Sequence, residues 1–242
     1  MAEEIKEEIV EQPQKWRRKS REEIEEETRT KALEDWKPKT ALGLKVKTGK
    51  IKNIDEIIDQ KILEEQIIDL LVPLNQDLLL IGQSKGKFGG GKRRAWKQTQ
   101  RKTIEGNIPT FSSGVIVGDK NSHVWVGFGR AKETLPAREK ALRKAKLNII
   151  KVTRGCGSFD CLCEEKHTVP FKVEGKCGSS VVVLYPAPQG TGLAIGDECK
   201  KILKLAGIRD VYSKTFGQTR TKINLAKACI EALKKTNMRI KQ

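Results

Sequence analysis

The stretch FSSGVIVGDKNSHVWVGFG, residues 111–129, decides the fold of this chain. Its two halves are β-rich, and the intervening DKNS, residues 119–122, has the composition of a turn. The stretch therefore predicts a β-hairpin. Thr134 and Pro136 can then begin a helix through AREKALRKAKLNI, which places alanines on one face and most basic side chains on the other.

Upstream, residues 54–71 carry isoleucine and leucine at mostly helical spacings before Pro73, which predicts a helix with one buried face. Residues 78–81 are a candidate for a short strand. A helix, several strands and a second helix in this order predict an α/β sandwich of the double-stranded-RNA-binding type.

Downstream, strands are expected near 170–173 and 180–185, a helix from Asp197 to Gly207, and another over 222–234. These elements predict a second domain and an α+β chain overall. We expect the following organisation: a charged arm and linker over 1–50, a double-stranded-RNA-binding-like domain over 51–152, a Cys/His linker over 153–169, and a C-terminal α/β domain over 170–242.

The charge of the chain indicates a polyanionic partner. Lys and Arg number 48 against 31 acidic residues, a net charge of +17. Residues 1–40 carry a net negative charge, so the net positive charge lies in residues 41–242. The N-terminus is acidic, and no apolar run approaches the roughly 20 residues that span a bilayer. We also see no basic amphipathic segment with aromatic residues, so we predict a cytoplasmic nucleic-acid-binding protein and no membrane partner.

The segment from Lys85 to Lys102 contains eight basic residues and no acidic ones, with three consecutive glycines at 89–91. Its glycines let the backbone approach a ligand, its cations can neutralise phosphates, and Trp96 can stack on a base. A solvated charged loop is the alternative. The segment lacks the spacing of a nucleotide-binding P-loop, because Arg93 stands where Ser or Thr is needed. The candidate RNA contacts here are Lys85, Lys87, Lys92, Arg93 and Arg94.

A second candidate RNA-contacting stretch is SKTFGQTRTK, residues 213–222, which mixes hydroxyl groups with Lys214, Arg220 and Lys222. Such mixtures serve phosphate and ribose contacts. The alternative is again a solvated loop.

Cys156, Cys161, Cys163 and His167 gather three thiols and an imidazole within twelve residues, which is the ligand set of a closed structural zinc site. Cys177 is a possible substitute ligand, and unligated thiols beside a solvent-facing His167 are the alternative. Four ligands leave no open coordination position for catalysis. Neither His123 nor His167 has an evident orienting carboxylate at readable spacing, so we predict that the chain is not an enzyme.

Several stretches occur together in the order typical of one known family. They are GNIPTFSSGVIVGD at 106–119, His123-Val124 with Gly127, AKE at 131–133, PFKVEGKCGS at 170–179, PAPQGTG at 186–192, LAGI at 205–208 and SKTFGQTR at 213–220. With these residues the chain resembles the universal small-subunit ribosomal protein S-five family in its archaeal and eukaryotic branch. RGCGSFDCLCEEKH, residues 154–167, resembles the archaeal form.

The resemblance implies a double-stranded-RNA-binding-like first domain and a second domain with a left-handed βαβ crossover. It also implies binding to small-subunit ribosomal RNA beside neighbouring ribosomal proteins, a place along the channel through which mRNA enters the small subunit, and an influence on decoding accuracy. RNA contacts are carried over to Arg101, Lys102, Thr103, Arg130 and Lys132. Asn107, Ser122 and Trp125 depart from the family pattern and put the detailed shape of the hairpin in doubt.

Overall fold

The computed structural model describes residues 35–84, 86, 90–91, 93–161, 163 and 165–238. Most of the predicted charged arm therefore lies outside the described residues. The chain divides into two units, Met1–Lys37 and Pro38–Gln242, and every element below belongs to the second. None of the helices within the described part is both long and apolar enough to cross a membrane.

Short helical segments precede the first sheet. Helix α1 spans Ala41–Lys47, a 3₁₀ turn spans Ile54–Glu56, and helix α2 spans Gln66–Leu71. The single helix predicted over 54–71 is therefore wrong. In a straight helix, at 100° per residue, Leu63 would lie opposite Ile54. The chain instead breaks between them, so that Ile62 is buried and Leu63 stays 57% exposed.

The first sheet is antiparallel and is built around one long central strand. Strands β1 and β2 both pair with β3, which pairs on its other side with β4, and β4 pairs with β5. The bounds are β1 Asn75–Leu78, β2 Trp96–Thr103, β3 Gly106–Gly118, β4 His123–Ala131 and β5 Ile150–Lys151. The hairpin predicted from residues 111–129 is confirmed by the pairing of β3 with β4.

Helix α3, Thr134–Leu147, packs on one face of this sheet through buried alanines. Gly127 of β4 permits the close approach, because a Cβ atom there would lie 2.0 Å from the backbone oxygen of Ala141. The helix predicted from Thr134 onward is thus confirmed, and small residues on both elements allow it to lie directly against the strand.

The second sheet has the order β6-β7-β9-β8, in which only the β8–β9 pair is parallel. The bounds are β6 Val173–Cys177, β7 Ser180–Tyr185, β8 Leu193–Ala194, α4 Asp197–Leu205, β9 Val211–Phe216 and α5 Lys222–Met238. Helix α4 connects the parallel pair. Helix α5 lies close to β6, where a Cβ atom at Gly175 would stand 2.0 Å from the backbone oxygen of Ala228.

One hydrophobic cluster runs between the two sheets, from Ile116 of β3 through Ile202 of α4 to Leu184 of β7. Helix α4 also bonds to the first sheet directly. The carboxylate of Glu198, which is 4% exposed, accepts the backbone N–H of Leu80 at 2.9 Å. The α+β fold with two sheets is confirmed, whereas the predicted boundaries at 51–152, 153–169 and 170–242 stay predictions.

Candidate nucleic-acid interface and metal centre

Strands β2 and β3 form a two-stranded ribbon that projects beyond the rest of the first sheet. Their pairing runs from Trp96 opposite Ser113 to Thr103 opposite Gly106. Strand β4 joins β3 only from Phe111 onward, so residues 106–110 pair with β2 alone. At the tip, the hydroxyl of Thr103 donates to the carbonyl of Gly106 at 2.7 Å, and Ile104 is fully exposed. The ribbon therefore offers two faces and an apolar tip to a partner.

One face of the ribbon is basic. The register places Lys97, Ser112 and Arg130 in one row across β2, β3 and β4, and directly paired side chains share a face. Arg101 lies on the same face, because it is four residues beyond Lys97 and strand side chains alternate. All three cations are exposed. We call Lys97, Arg101 and Arg130 the basic face.

The basic face contains two of the predicted RNA contacts and one residue that the sequence reasoning did not select. Arg130 is held toward β3 by its Nη2 atom, which donates to Thr110 Oγ1 at 3.0 Å. Lys97 was missed, although the alternation within KQTQRK already places it on the side of Arg101. Lys102 points to the other face, and Lys132 is exposed just after β4.

The glycine-rich basic loop is described only in part. Lys85, Lys87 and Lys92 lie outside the described residues. Arg93 bridges to Ser84, and Arg94 is exposed and accepts the N–H of Gly82 at 2.9 Å through its backbone oxygen. These bonds fix both ends of the loop against the start of β2.

The remaining predicted contacts lie on the second sheet. Lys214 is exposed on β9, Arg220 is exposed before α5, and Lys222 is the first residue of that helix. Among the residues that the structure describes, the predicted RNA contacts thus lie in two regions, one in and beside the ribbon of the first sheet and one in the β9–α5 region of the second.

The four predicted metal ligands come together. Sγ of Cys156, Cys161 and Cys163 and one ring nitrogen of His167 all lie within 4.8 Å of one another. The Cys156–Cys163 sulfur distance is 3.5 Å, and His167 Nε2 lies 3.6 Å from Cys161 Sγ. Cys177, the possible substitute, lies instead at the end of β6 opposite Ser180.

Two of these distances between ligand atoms match those around a tetrahedrally coordinated metal ion. Bonds of about 2.3 Å to sulfur and about 2.0 Å to nitrogen separate tetrahedral ligands by about 3.5–3.8 Å. The 3.5 and 3.6 Å separations meet that requirement, whereas the 2.9 Å between the sulfurs of Cys161 and Cys163 is shorter. Binding an ion would move those two sulfurs apart by about 0.9 Å.

The contact between the sulfurs of Cys161 and Cys163 shifts their pKa values in opposite directions. The hydrogen bond from Cys163 lowers the pKa of the Cys161 thiol to about 6, and the same contact raises the pKa of Cys163 to about 12. The cluster therefore presents an electron-rich pocket suited to a soft divalent cation.

Asp210, which the sequence reasoning missed, orients the histidine ligand. Its Oδ2 lies 2.8 Å from His167 Nδ1, and its Oδ1 accepts the N–H of Gly192 at 2.8 Å. With Nδ1–H donating to this carboxylate, the lone pair of Nε2 faces the sulfurs, an arrangement common around metal-bound histidines. His167 is 2% exposed, so the solvent-facing alternative is wrong. Asp210 is 43 residues away in sequence, and no spacing rule would have found it.

His123 is the second buried histidine, and it also has carboxylate partners. Its Nδ1 lies 2.6 Å from Asp119 Oδ2 and its Nε2 lies 3.0 Å from Asp55 Oδ1. Burial opposes the charged ring, but the hydrogen bonds to Asp119 and Asp55 outweigh it and raise the pKa of His123. The expectation that no orienting carboxylate lies at a readable spacing is therefore wrong for His123, since Asp119 precedes it by four residues, whereas the carboxylate that orients His167 is 43 residues away in sequence.

Two family models match the chain. The model for the N-terminal domain of ribosomal protein S5 matches residues 94–153, and the model for its C-terminal domain matches residues 175–240. The first covers the ribbon, β4 and α3, and the second covers most of the second sheet and its helices. The cysteine-bearing segment falls between the two matches.

Curated proteins from archaea are similar over most of the chain, and each bears the name small ribosomal subunit protein uS5. The protein of Nanoarchaeum equitans is 50% identical over 86% of this chain and 91% of that protein. The protein of Thermofilum pendens is 46% identical over 84% and 94%. That of Methanocaldococcus jannaschii is 45% identical over 85% and 89%.

Proposed function

The chain belongs to the ribosomal protein S5 family, in its archaeal type, and from this premise we propose that it is a structural component of the cytoplasmic small ribosomal subunit that binds ribosomal RNA. The family consists of ribosomal structural proteins, so the prediction that the chain is not an enzyme is confirmed.

The basic face of the ribbon is the observation that carries the RNA-binding proposal. Lys97, Arg101 and Arg130 are exposed on one side of three adjacent strands, on a chain with a net charge of +17. Cations held together on a protein surface repel one another until a polyanion neutralises them. Phosphates of ribosomal RNA would displace counterions there and fix the ribbon in one orientation.

The β9–α5 region supplies a second contact in this proposal, through Lys214, Arg220 and Lys222. Two basic surfaces on two sheets would hold separate RNA elements at a fixed mutual orientation, because one hydrophobic core joins the sheets. That is a structural role in which the protein acts as a rigid spacer. Neighbouring ribosomal proteins would cover part of the remaining surface.

The proposed type of each domain and the proposed position of the ribbon in the small subunit rest on the family resemblance. The first sheet with α3 would be a double-stranded-RNA-binding-like domain, and the β8–α4–β9 unit would be a left-handed crossover, against the usual right-handed preference. The ribbon would lie along the channel through which mRNA enters, where its exposed tip supports decoding accuracy.

Zinc is the metal that we propose for the Cys156, Cys161, Cys163 and His167 cluster. Three thiolates and one imidazole form a complete tetrahedral set, which zinc adopts in structural sites. When bound, the ion would cross-link residues 156–167 and thereby fix the segment that connects the two sheets. The chain's own contribution is the orientation of His167 by Asp210.

Sedimentation tests the ribosomal role. The native protein is expected in the small-subunit fractions of a lysate gradient, and its presence only in free fractions would contradict the proposal.

Salt dependence tests the RNA surface. An Arg101→Gln chain, titrated with a small-subunit ribosomal RNA fragment, should show a salt slope lower by about one because one phosphate contact is lost. Lys61→Gln, which removes an exposed cation away from the ribbon, should leave the slope unchanged. Equal slopes for wild type and Arg101→Gln would exclude Arg101 from the RNA surface.

Metal analysis tests the zinc site. The refolded wild-type chain should contain one zinc per molecule, and Cys161→Ser should lose it. The control is Cys177→Ser, which changes a cysteine outside the cluster. Equal zinc content in wild type and Cys161→Ser would refute the ligand set.

A further inference from the structure

The face of β2 opposite the basic face lines a concave site. Trp96, Gln98 and Gln100 follow one another at every second position of the strand, so their side chains share a face. Gln83 and Ser84, from the segment after β1, and Arg94, just before β2, also line the site. The cavity has a volume of about 440 Å³, within the range of sites that hold small organic groups.

The described residues that line this cavity are mostly polar and uncharged. Three glutamines each offer a carbonyl acceptor and an amide donor, and Arg94 is the one cation among the lining residues that the structure describes. No carboxylate occurs within that described set. An apolar ligand would leave the amides without partners. Mixed donors and acceptors suit the edge of a nucleobase.

Trp96 adds a flat surface to the amides. It is partly exposed at the start of β2, directly across from Ser113 of β3, and its indole therefore borders the cavity from the sheet side. Aromatic side chains on sheets bind unpaired bases by stacking, and a glutamine can both donate to and accept from the edge of adenine. The cavity thus combines an aromatic ring that can stack on a base with glutamine amides that can hydrogen-bond to the edge of that base.

We propose that this cavity binds one unpaired base of an RNA strand. Trp96 stacks on the base, Gln98 and Gln100 hydrogen-bond to its edge, and Arg94 contacts the adjoining phosphate. The inference rests on the proposed RNA-binding function and adds to it a second, base-reading face on the same ribbon. Strand β2 would then contact RNA phosphates with one face and an RNA base with the other.

The test uses the full chain and fluorescent, unstructured RNAs of about nine nucleotides, a length that a single-strand binding surface accommodates. One carries a single central adenine with abasic residues at all other positions, and another is abasic at every position. Wild type should bind the adenine RNA at least about fivefold more tightly than the abasic RNA, since base stacking alone supplies that factor. Trp96→Leu should reduce the ratio to about one, and Trp96→Phe should retain most of it.

Matched glutamine variants keep the test independent of any folding defect at Trp96. Gln98→Ala changes an exposed residue and should lower the preference for adenine over the other central bases. Gln76→Ala, an exposed glutamine on β1, should change nothing. Neither variant should alter the salt slope, because both glutamines are uncharged.

The outcomes separate this inference from the function on which it rests. If wild type binds abasic and adenine RNA equally, or if Gln76→Ala lowers the preference for adenine over the other central bases as much as Gln98→Ala does, the base site is overturned while RNA binding stands. If no RNA binds, both fall. In intact small subunits washed free of mRNA, a crosslink at Trp96 identifies ribosomal RNA as the source of the base, and a crosslink that needs added mRNA identifies mRNA.

Discussion

The two histidines of this chain have the same kind of partner at Nδ1 but different partners at Nε2. In each, the imidazole is buried and its Nδ1 lies within 2.8 Å of a carboxylate, Asp119 for His123 and Asp210 for His167. The partner of Nε2 then differs. His123 faces a second carboxylate, Asp55, whereas His167 faces sulfur atoms. The carboxylates of Asp119 and Asp55 raise the pKa of His123, whereas the sulfur atoms beside His167 are potential ligands for a metal that its Nε2 can also bind.

The largest expected effect comes from removing the metal-facing histidine. His167→Ala should abolish zinc binding and lower the free energy of unfolding by about 3–5 kcal/mol, because it also leaves the buried Asp210 without its partner. Thermal or denaturant unfolding with and without a chelator measures this. His167→Cys restores a fourth metal ligand and should keep zinc. A His167→Ala chain with full zinc content would show that the two histidines do not differ as described.

Removing the other histidine should cost less and should not involve metal. His123→Ala leaves Asp55 and Asp119 facing each other across an emptied site. We expect a loss of about 2–3 kcal/mol, below the full value for a buried pair because Asp55 is half exposed. Zinc content should equal that of wild type. Sensitivity of this variant's loss to a chelator would contradict the separation of the two sites.

The two orienting carboxylates sharpen the comparison. Asp210→Asn should weaken zinc binding about 10- to 100-fold, the usual cost of losing the partner of a metal-bound histidine. Asp119→Asn, the matching change at His123, should leave zinc affinity unchanged. Competition with a chromophoric chelator measures both. Equal affinities for wild type and Asp210→Asn would remove Asp210 from the metal site.

The smallest expected effect is a pH dependence confined to His123. Because the pKa of His123 is raised in the folded chain, the stability that it contributes is complete below its ordinary value of 6.5 and is lost as pH rises through the raised value. The pKa values of Asp55 and Asp119 are lowered, so their contribution is lost only as pH falls below about 3.8. The difference in unfolding free energy between wild type and His123→Gln should therefore shrink as pH rises above neutrality. A difference that does not vary with pH would show an uncharged His123.

Local patterns predicted the parts of the fold that depend on local chemistry. The hairpin of β3 and β4, helix α3 and the cluster of four metal ligands all follow from residues close together in sequence. The helix expected over 54–71 failed because its mostly helical spacing is broken at Leu63, which a straight helix would place opposite Ile54.

Long-range partners could not be read from the sequence. Asp210 lies 43 residues from His167, and Asp55 lies 68 residues from His123. Tertiary folding brings each pair together. Asp119 is the exception, because it precedes His123 by four residues and the turn between them could have suggested the contact.

The ribbon of β2 and β3 can change its length without loss of the core, since residues 106–110 have one neighbouring strand and lie apart from the hydrophobic cluster. Side chains alternate along a strand, so a matched insertion of two residues per strand would keep every cation and every glutamine on its own face. An insertion of one residue would exchange the faces and turn the glutamines to where the cations stood. Among related proteins, each strand of this hairpin should therefore differ in length by an even number of residues, because only such changes keep the same side chains facing the RNA.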